Sequence, residues 1–163
     1  FAITDNLTVF TSLTLSESEY IETIGGTGTQ YDSLASAQAA IDDATNAEAS
    51  LVAVKGNTVI GTPDTMAVIS LDWSKNNYFA GISTKYVDSR FIDIYNTAEV
   101  DDYLVSDLYI GGYISNIGQG MEELEVRLTV NNLLDEDYAS TIAPNAFWIG
   151  APRAVAINAR LTF

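Results

Sequence analysis

The chain has 163 residues, with 22 acidic against 7 basic side chains and a formal net charge of −15. That length suits one ordinary domain, and so acidic a chain is short of the Lys and Arg that phosphate contacts need, so no nucleic-acid partner is expected. It has no cysteine and no histidine, which excludes disulfides, thiolate sites and the usual histidine-based triads.

Taken in chain order, the dominant signal is alternation with a period of two, the mark of a strand with two different faces. Leu7, Val9, Thr11, Leu13 and Leu15 alternate with Thr8, Phe10, Ser12 and Thr14. Before them, Thr4-Asp5-Asn6 reads as a short turn. A long segment follows, residues 23–63. Within it, "YDSLASAQAAIDDATNAEAS" is rich in alanine, with Leu34, Ala37 and Ile41 at helical spacing and Asp32 placed to cap the start. It reads as a short helix or as an alanine-rich loop.

Next, Ala67, Ile69, Leu71 and Trp73 alternate with Val68, Ser70 and Asp72. After the turn Lys75-Asn76-Asn77, Tyr78, Ala80, Ile82, Thr84 and Tyr86 alternate with Phe79, Gly81, Ser83 and Lys85. Residues 93–102 form a second long connection. Leu108, Ile110 and Ile114 then oppose Asp107, Tyr109 and Tyr113. "SNIGQGM" (115–121) reads as a turn whose glycines supply unusual backbone angles. Leu124, Val126, Leu128 and Val130 oppose Glu123, Glu125, Arg127 and Thr129. After a third long connection, 135–150, the sixth strand places Val155, Ile157, Ala159, Leu161 and Phe163 opposite Ala156, Asn158, Arg160 and Thr162.

Two architectures fit six such strands. In a soluble sheet the apolar side is a core; in a membrane barrel it meets lipid and the polar side lines a lumen. Three features favour the barrel. The apolar set is uniform on all six strands. Aromatics (Tyr20, Trp73, Tyr78, Tyr86, Trp148, Phe163) stand near strand ends, as an interfacial girdle requires. Charges such as Asp72 and Arg127 sit mid-strand. Short turns on one rim and long loops on the other match the layout of an outer-membrane barrel. There is no apolar run of about 18 residues, so no transmembrane helix is expected. Six strands are too few to close such a barrel, and an open piece in lipid leaves unpaired backbone groups at its edges. The opening "FAITDNLTVF" has no Met and no basic-then-apolar leader. The chain is therefore expected to be part of a longer protein.

"VNNLLDEDYAS" (130–140) resembles the "NLFDxxY" motif near the end of TonB-dependent outer-membrane receptors: Asn132, Leu133, Asp135 and Tyr138 match, with Leu134 where Phe is common. "IGAPRAVAINARLTF" resembles the family's closing strand: Gly150, Pro152, Arg153 and Phe163 match, with Ile149 where Pro is common. "GNTVIGTPDTMAVISLDW" and "KYVDSRFIDIYNTAEVDDYLVSDLYIGGY" are similar to the family's upstream segments, in the same order. The resemblance implies an all-β, antiparallel transmembrane barrel segment, residues 1–163 being the last six strands of a 22-stranded barrel. It implies a plug domain and the remaining strands outside this chain. It implies integral outer-membrane localisation, with long loops extracellular and short turns and C-terminus periplasmic. The partners implied are the TonB complex through an N-terminal region, the barrel-assembly machinery through the closing strand, the bilayer and the transported solute. That solute would be siderophore-iron, cobalamin, haem or an oligosaccharide, taken up actively.

Site candidates follow. Asp72, Lys85, Asp107, Glu123, Glu125, Arg127 and Arg160 fall on the inward parity, with Arg153 at its end. They would contact plug or solute, or form a solvated wall in which Glu125 pairs across strands. Tyr31, Tyr95 and Tyr138 are external-loop candidates, and Phe147 and Trp148 are girdle candidates. Asp101, Asp102, Asp135 and Asp137 are oxygen-rich enough for Ca²⁺ but lack a cation-loop spacing, so no metal and no cofactor is expected. "GGTGTQ" lacks both a dinucleotide fingerprint and a phosphate-loop lysine, and no enzyme activity is expected. The alternatives are a soluble or surface β-sheet adhesion or assembly protein, and a passive porin-like barrel or autotransporter pore.

Overall fold

The computed structural model describes residues 2–21, 23–25, 30–31, 35, 39, 51–52, 55–118, 120–144 and 146–163. The helix expected in 31–50 rests on Asp32, Leu34, Ala37 and Ile41, which lie outside the described residues. In chain order the strands are β1 (Ala2–Thr4), β2 (Leu7–Leu15), β3 (Thr23–Gly25), β4 (Gln30–Tyr31), β5 (Leu51–Val52), β6 (Thr65–Lys75), β7 (Tyr78–Val87), β8 (Arg90–Phe91), β9 (Glu99–Val100), β10 (Tyr103–Gly118), β11 (Met121–Asn131), β12 (Ala139–Ala143), β13 (Ala146–Ile149) and β14 (Ala154–Thr162).

One antiparallel sheet dominates, in the order β1-β2-β6-β7-β10-β11-β14. Its six long strands are those expected from the alternation. The seventh, β1, folds back on β2 through Asp5-Asn6, pairing Ala2 with Thr8. The turn expected over 115–121 is tighter than that: β10 continues to Gly118 and β11 begins at Met121. Gly118 (φ 89°) and Gly120 (φ 81°) take the left-handed geometry there. Asn76 does so at φ 55° in the turn between β6 and β7. Asn77 anchors this turn to β10, accepting from Tyr113 N–H at 2.8 Å and donating to Tyr113 C=O at 3.0 Å.

Register sorts the alternation into two continuous faces. Ile69, Thr84 and Ser106 stand in one row, and Leu71, Ile82, Leu108 and Val130 in another, on the apolar face. Asp72, Gly81, Tyr109 and Thr129 stand in a row on the opposite, polar face. A soluble sheet would bury the apolar face. Here Leu13 is 66% exposed, Ile110 52% and Ile157 76%. The apolar side chains that are buried, Phe79, Val87, Tyr103 and Ala139, stand on the polar face or in the loops. The hydrophobic pattern is thus inverted relative to a water-soluble sheet. A hydroxyl pair on the apolar face, Thr84–Ser106 at 2.9 Å, satisfies itself across the ladder.

Candidate functional site

The described parts of the three long connections meet at one end of the sheet. Residues 57–58 dock on the β8–β9 turn. Asn57 Nδ2 donates to Ile94 C=O at 2.9 Å, Thr58 N–H donates to Asn96 Oδ1 at 2.7 Å, and Asn96 Nδ2 returns to Thr58 C=O at 3.0 Å. Gly61 N–H donates to Phe91 C=O at 2.9 Å. Gly61 also abuts the third connection, because a Cβ there would lie 3.1 Å from Ile142 Cβ.

Asp93 holds the β8–β9 turn together. Its buried carboxylate accepts from the backbone N–H groups of Tyr95 (2.8 Å), Thr97 (3.1 Å) and Ala98 (2.6 Å). Desolvation pushes the carboxyl up, but the N–H groups of Ala98, Thr97 and Tyr95 together outweigh it and hold it below its ordinary 3.8. A lowered pKa gives support that is fully present above the ordinary value and is lost as pH falls through the folded one. Protection of the Tyr95, Thr97 and Ala98 amides, referred to their intrinsic exchange rates at each pH, is therefore expected to hold at neutral pH and to be lost only well below about pH 4. Asp93→Asn should give fast exchange there at pH 7.

The polar face carries an aromatic–cation stack. Arg127 lies 4.9 Å from the Phe79 ring centre and 5.1 Å from that of Tyr109, and pairs with Glu125 at 3.3 Å. Tyr109 O–H donates to Asp72. Two glycines admit these rings. A Cβ on Gly81 would come within 2.5 Å of the Tyr109 ring, and one on Gly111 would strike the Phe79 ring and, at 2.5 Å, the Val126 carbonyl. Because the second clash is with backbone, Gly111→Val is expected to cost about 1–3 kcal/mol, read as a lower urea midpoint. The expected cross-strand pairing of Glu125 is corrected here. Its partner is Arg127, two residues along the same strand, where side chains of one parity are neighbours.

The motif residues form a knot between β11 and β14. Asn132, 3% exposed with φ 50°, receives Glu136 N–H on Oδ1 at 2.8 Å and donates from Nδ2 to Glu136 C=O at 2.8 Å and Ala151 C=O at 3.1 Å. Its own N–H reaches Asp107 at 2.8 Å, and Leu133 N–H reaches Ser106 C=O at 2.7 Å. Asp135 (φ 60°) accepts from Arg153 N–H at 2.9 Å and pairs with its guanidinium at 3.3 Å. Tyr138 covers Gly150, where a Cβ would collide with its ring, and packs against Tyr103 with ring centres 4.6 Å apart. Tyr138 therefore points inward and is no free exterior aromatic. Pro152 lies in the exposed run that begins at Ala151 and leads into β14, and Phe163 is 78% exposed.

The remaining candidates separate. Lys85 and Asp107 line one polar hollow; Glu123, Glu125 and Arg160 line another. Tyr95 is exposed at the loop end, as are Phe147 and Trp148 on β13. The side chain of Tyr31 lies outside the described residues. Asp101, Asp102 and Asp137 border a hollow of about 510 Å³ with Glu99, Tyr138 and Phe147, while Asp135 is committed to Arg153. Among the described residues no three acidic side chains are placed to hold a metal ion. Arg90 and Asp93 escaped the sequence reading. The Asp-to-Asn spacing of "DIYN" was a usable turn signal for Asp93, but nothing local marked Arg90.

With this geometry in view, three comparisons are informative. The family model described as TonB dependent receptor-like, beta-barrel matches residues 4–133. No curated protein matches the chain. Among solved structures, the siderophore receptor PiuA from Acinetobacter baumannii aligns with a TM-score of 0.69 at 18% identity, over 96% of this chain and 20% of its own. The ferric-catecholate import receptor Fiu from E. coli K12 gives 0.62 at 16% identity, over 96% and 19%. The ferric citrate transporter FecA gives 0.54 at 19%, over 65% and 17%. These likenesses are to the fold, and the chain spans about one fifth of the length of PiuA and Fiu. The family is one of transport receptors, not enzymes, built as outer-membrane β-barrels. Its model covers most of this chain, the open antiparallel sheet has its fold, and the chain belongs to the TonB-dependent receptor-like β-barrel family.

Proposed function

We propose that these residues are the C-terminal six-stranded part of an outer-membrane receptor for TonB-coupled uptake of a large, scarce solute, with siderophore-bound iron first among the classes. The observation that carries this reading is the bare apolar face, continuous over β2, β6, β7, β10, β11 and β14, behind a face of charged and aromatic side chains. Such a sheet is stable where lipid covers one side and a polar interior the other. The likeness to the siderophore receptor PiuA and the ferric-catecholate import receptor Fiu supports the solute class.

On this reading the long connections face the exterior, and Asn76, Gly120 and Phe163 mark the periplasmic rim. Asp72, Lys85, Asp107, Glu123, Glu125, Arg127 and Arg160 line the lumen against the plug. β14 closes the barrel against a first strand beyond this chain and is the element presented to the assembly machinery. TonB engages a segment that precedes these strands. A porin-like barrel would lack the plug and the TonB dependence.

The test combines intact mass with uptake. A polypeptide several times longer than this chain is expected in the outer-membrane fraction, extracted only by detergent, with a plug-like domain ahead of Phe1. Cells making it should accumulate iron-55 supplied as a ferric catecholate, and lose that accumulation when TonB is deleted. A free 17.6 kDa protein, soluble without detergent, would leave the soluble-sheet reading in its place.

A further inference from the structure

The apolar face of the sheet is not flat. Near the end that carries the long connections it holds a recess of about 340 Å³, set across β2, β6, β7 and β10. Register accounts for its shape. Ala67 stands between Leu13 and Tyr86, with Leu104 beyond, and in the next row Thr84 stands between Ile69 and Ser106. Ala67 and Thr84 are short and half-buried, so they form a floor. Leu13, Ile69 and Leu104 are long and exposed, and with the Tyr86 ring they form the walls.

The lining sets the chemistry of the occupant. No charged side chain borders the recess. The Thr84 and Ser106 hydroxyls are engaged with each other at 2.9 Å, and Tyr86 O–H is bonded to Asp88 at 3.3 Å. What fits is therefore apolar. The volume is about ten times the roughly 30 Å³ that one water takes up in the liquid, which is room for a stretch of hydrocarbon chain. On a flat apolar wall a chain meets protein on one side only. In the recess it meets the floor and two walls, and its dispersion contacts rise accordingly; left empty, the recess forfeits them.

We propose that this recess is a binding site for one acyl chain of an outer-leaflet lipid, occupied in preference to the rest of the apolar face. The proposal rests on the receptor reading above, which gives that face to lipid. The recess is continuous with it: Leu71 and Ile82 carry the face onward, one row beyond Ile69 and Thr84. Its place at the end with the long connections assigns the outer leaflet. A solute bound for the interior would meet the opposite, polar face instead.

The test uses the full-length receptor in phosphatidylcholine vesicles that contain a phosphatidylcholine with a diazirine on one acyl chain. Irradiation, digestion and mass spectrometry then locate the labelled residues. Label is expected at Leu13, Ile69 and Tyr86 several-fold above that at Ile110 and Ile157, which stand on the same face outside the recess. Ala67→Phe fills the floor and should remove this excess, leaving Ile110 and Ile157 unchanged. Ala80→Phe, on the same face of β7 but outside the recess, should keep it. Leu104→Ala lowers one wall and should reduce it, which supplies a second variant if Ala67→Phe fails to run as folded barrel on an unheated SDS gel. Wild-type labelling without the excess overturns the proposal, and so does an excess that survives these changes. A receptor dimer in the vesicles that Ala67→Phe dissociates would give the recess to a second copy, and overturns it too. If Ile110 and Ile157 also take up no label, the assignment of lipid to this face fails with it, so the two failures are told apart.

Discussion

Asn132→Ala is expected to lower the unfolding free energy of the receptor by about 3–5 kcal/mol, and to reduce sharply the fraction that runs as folded barrel on an unheated SDS gel. The side chain makes three hydrogen bonds to backbone groups, at Glu136 N–H, Glu136 C=O and Ala151 C=O. Alanine leaves those groups at the β11–β14 crossing without partners, at about 1–3 kcal/mol for each one kept from water. It also leaves a non-glycine residue in the left-handed region, at φ 50°, without the local hydrogen bonds that favour Asn there. Asn132→Asp is the informative companion. It keeps the acceptor for Glu136 N–H but turns a buried carboxylate oxygen toward the Glu136 and Ala151 carbonyls, and should cost at least as much as alanine at neutral pH. A loss below 1 kcal/mol for alanine would mean that the knot does not hold the closing strand.

The second large effect tests the apolar face. Ile110 stands in the middle of that face, paired with Ala80 and Leu128. Ile110→Arg is expected to cost about 2–4 kcal/mol for a receptor folded in lipid vesicles, measured by urea titration. Thr129→Arg, on the polar face opposite Tyr109, should cost less than half as much, because a lumen wall solvates a guanidinium. Equal costs at the two positions would contradict the assignment of lipid to one side and a polar interior to the other.

Both effects come from features that were legible to different degrees. The inward parity of Asp72, Glu125 and Arg127 was read from alternation alone, since in a strand the side-chain period is two and needs no tertiary contact to set it. The same holds for Ile110 and its row. The motif residues could be singled out by resemblance, but their work could not. Asn132 and Ala151 are 19 residues apart, and Asp107 reaches Asn132 across 25. Such contacts exist only once β10, β11 and β14 are in register.

Loops were the least legible part. Tyr138 looks like an exterior aromatic in the sequence, and it turns inward because Gly150 leaves room for its ring and Tyr103 offers a face to pack on. Arg90 resembles any surface arginine until the third connection places the Ala139 carbonyl against it, 49 residues away. By itself the sequence determined the strands and their two faces, because these follow from local alternation and turn residues, while the class of barrel came from the resemblance of its closing motifs to a known family. Only the tertiary structure decided which side chains meet and which charges are paired. Those depend on register and loop closure between residues far apart in the chain.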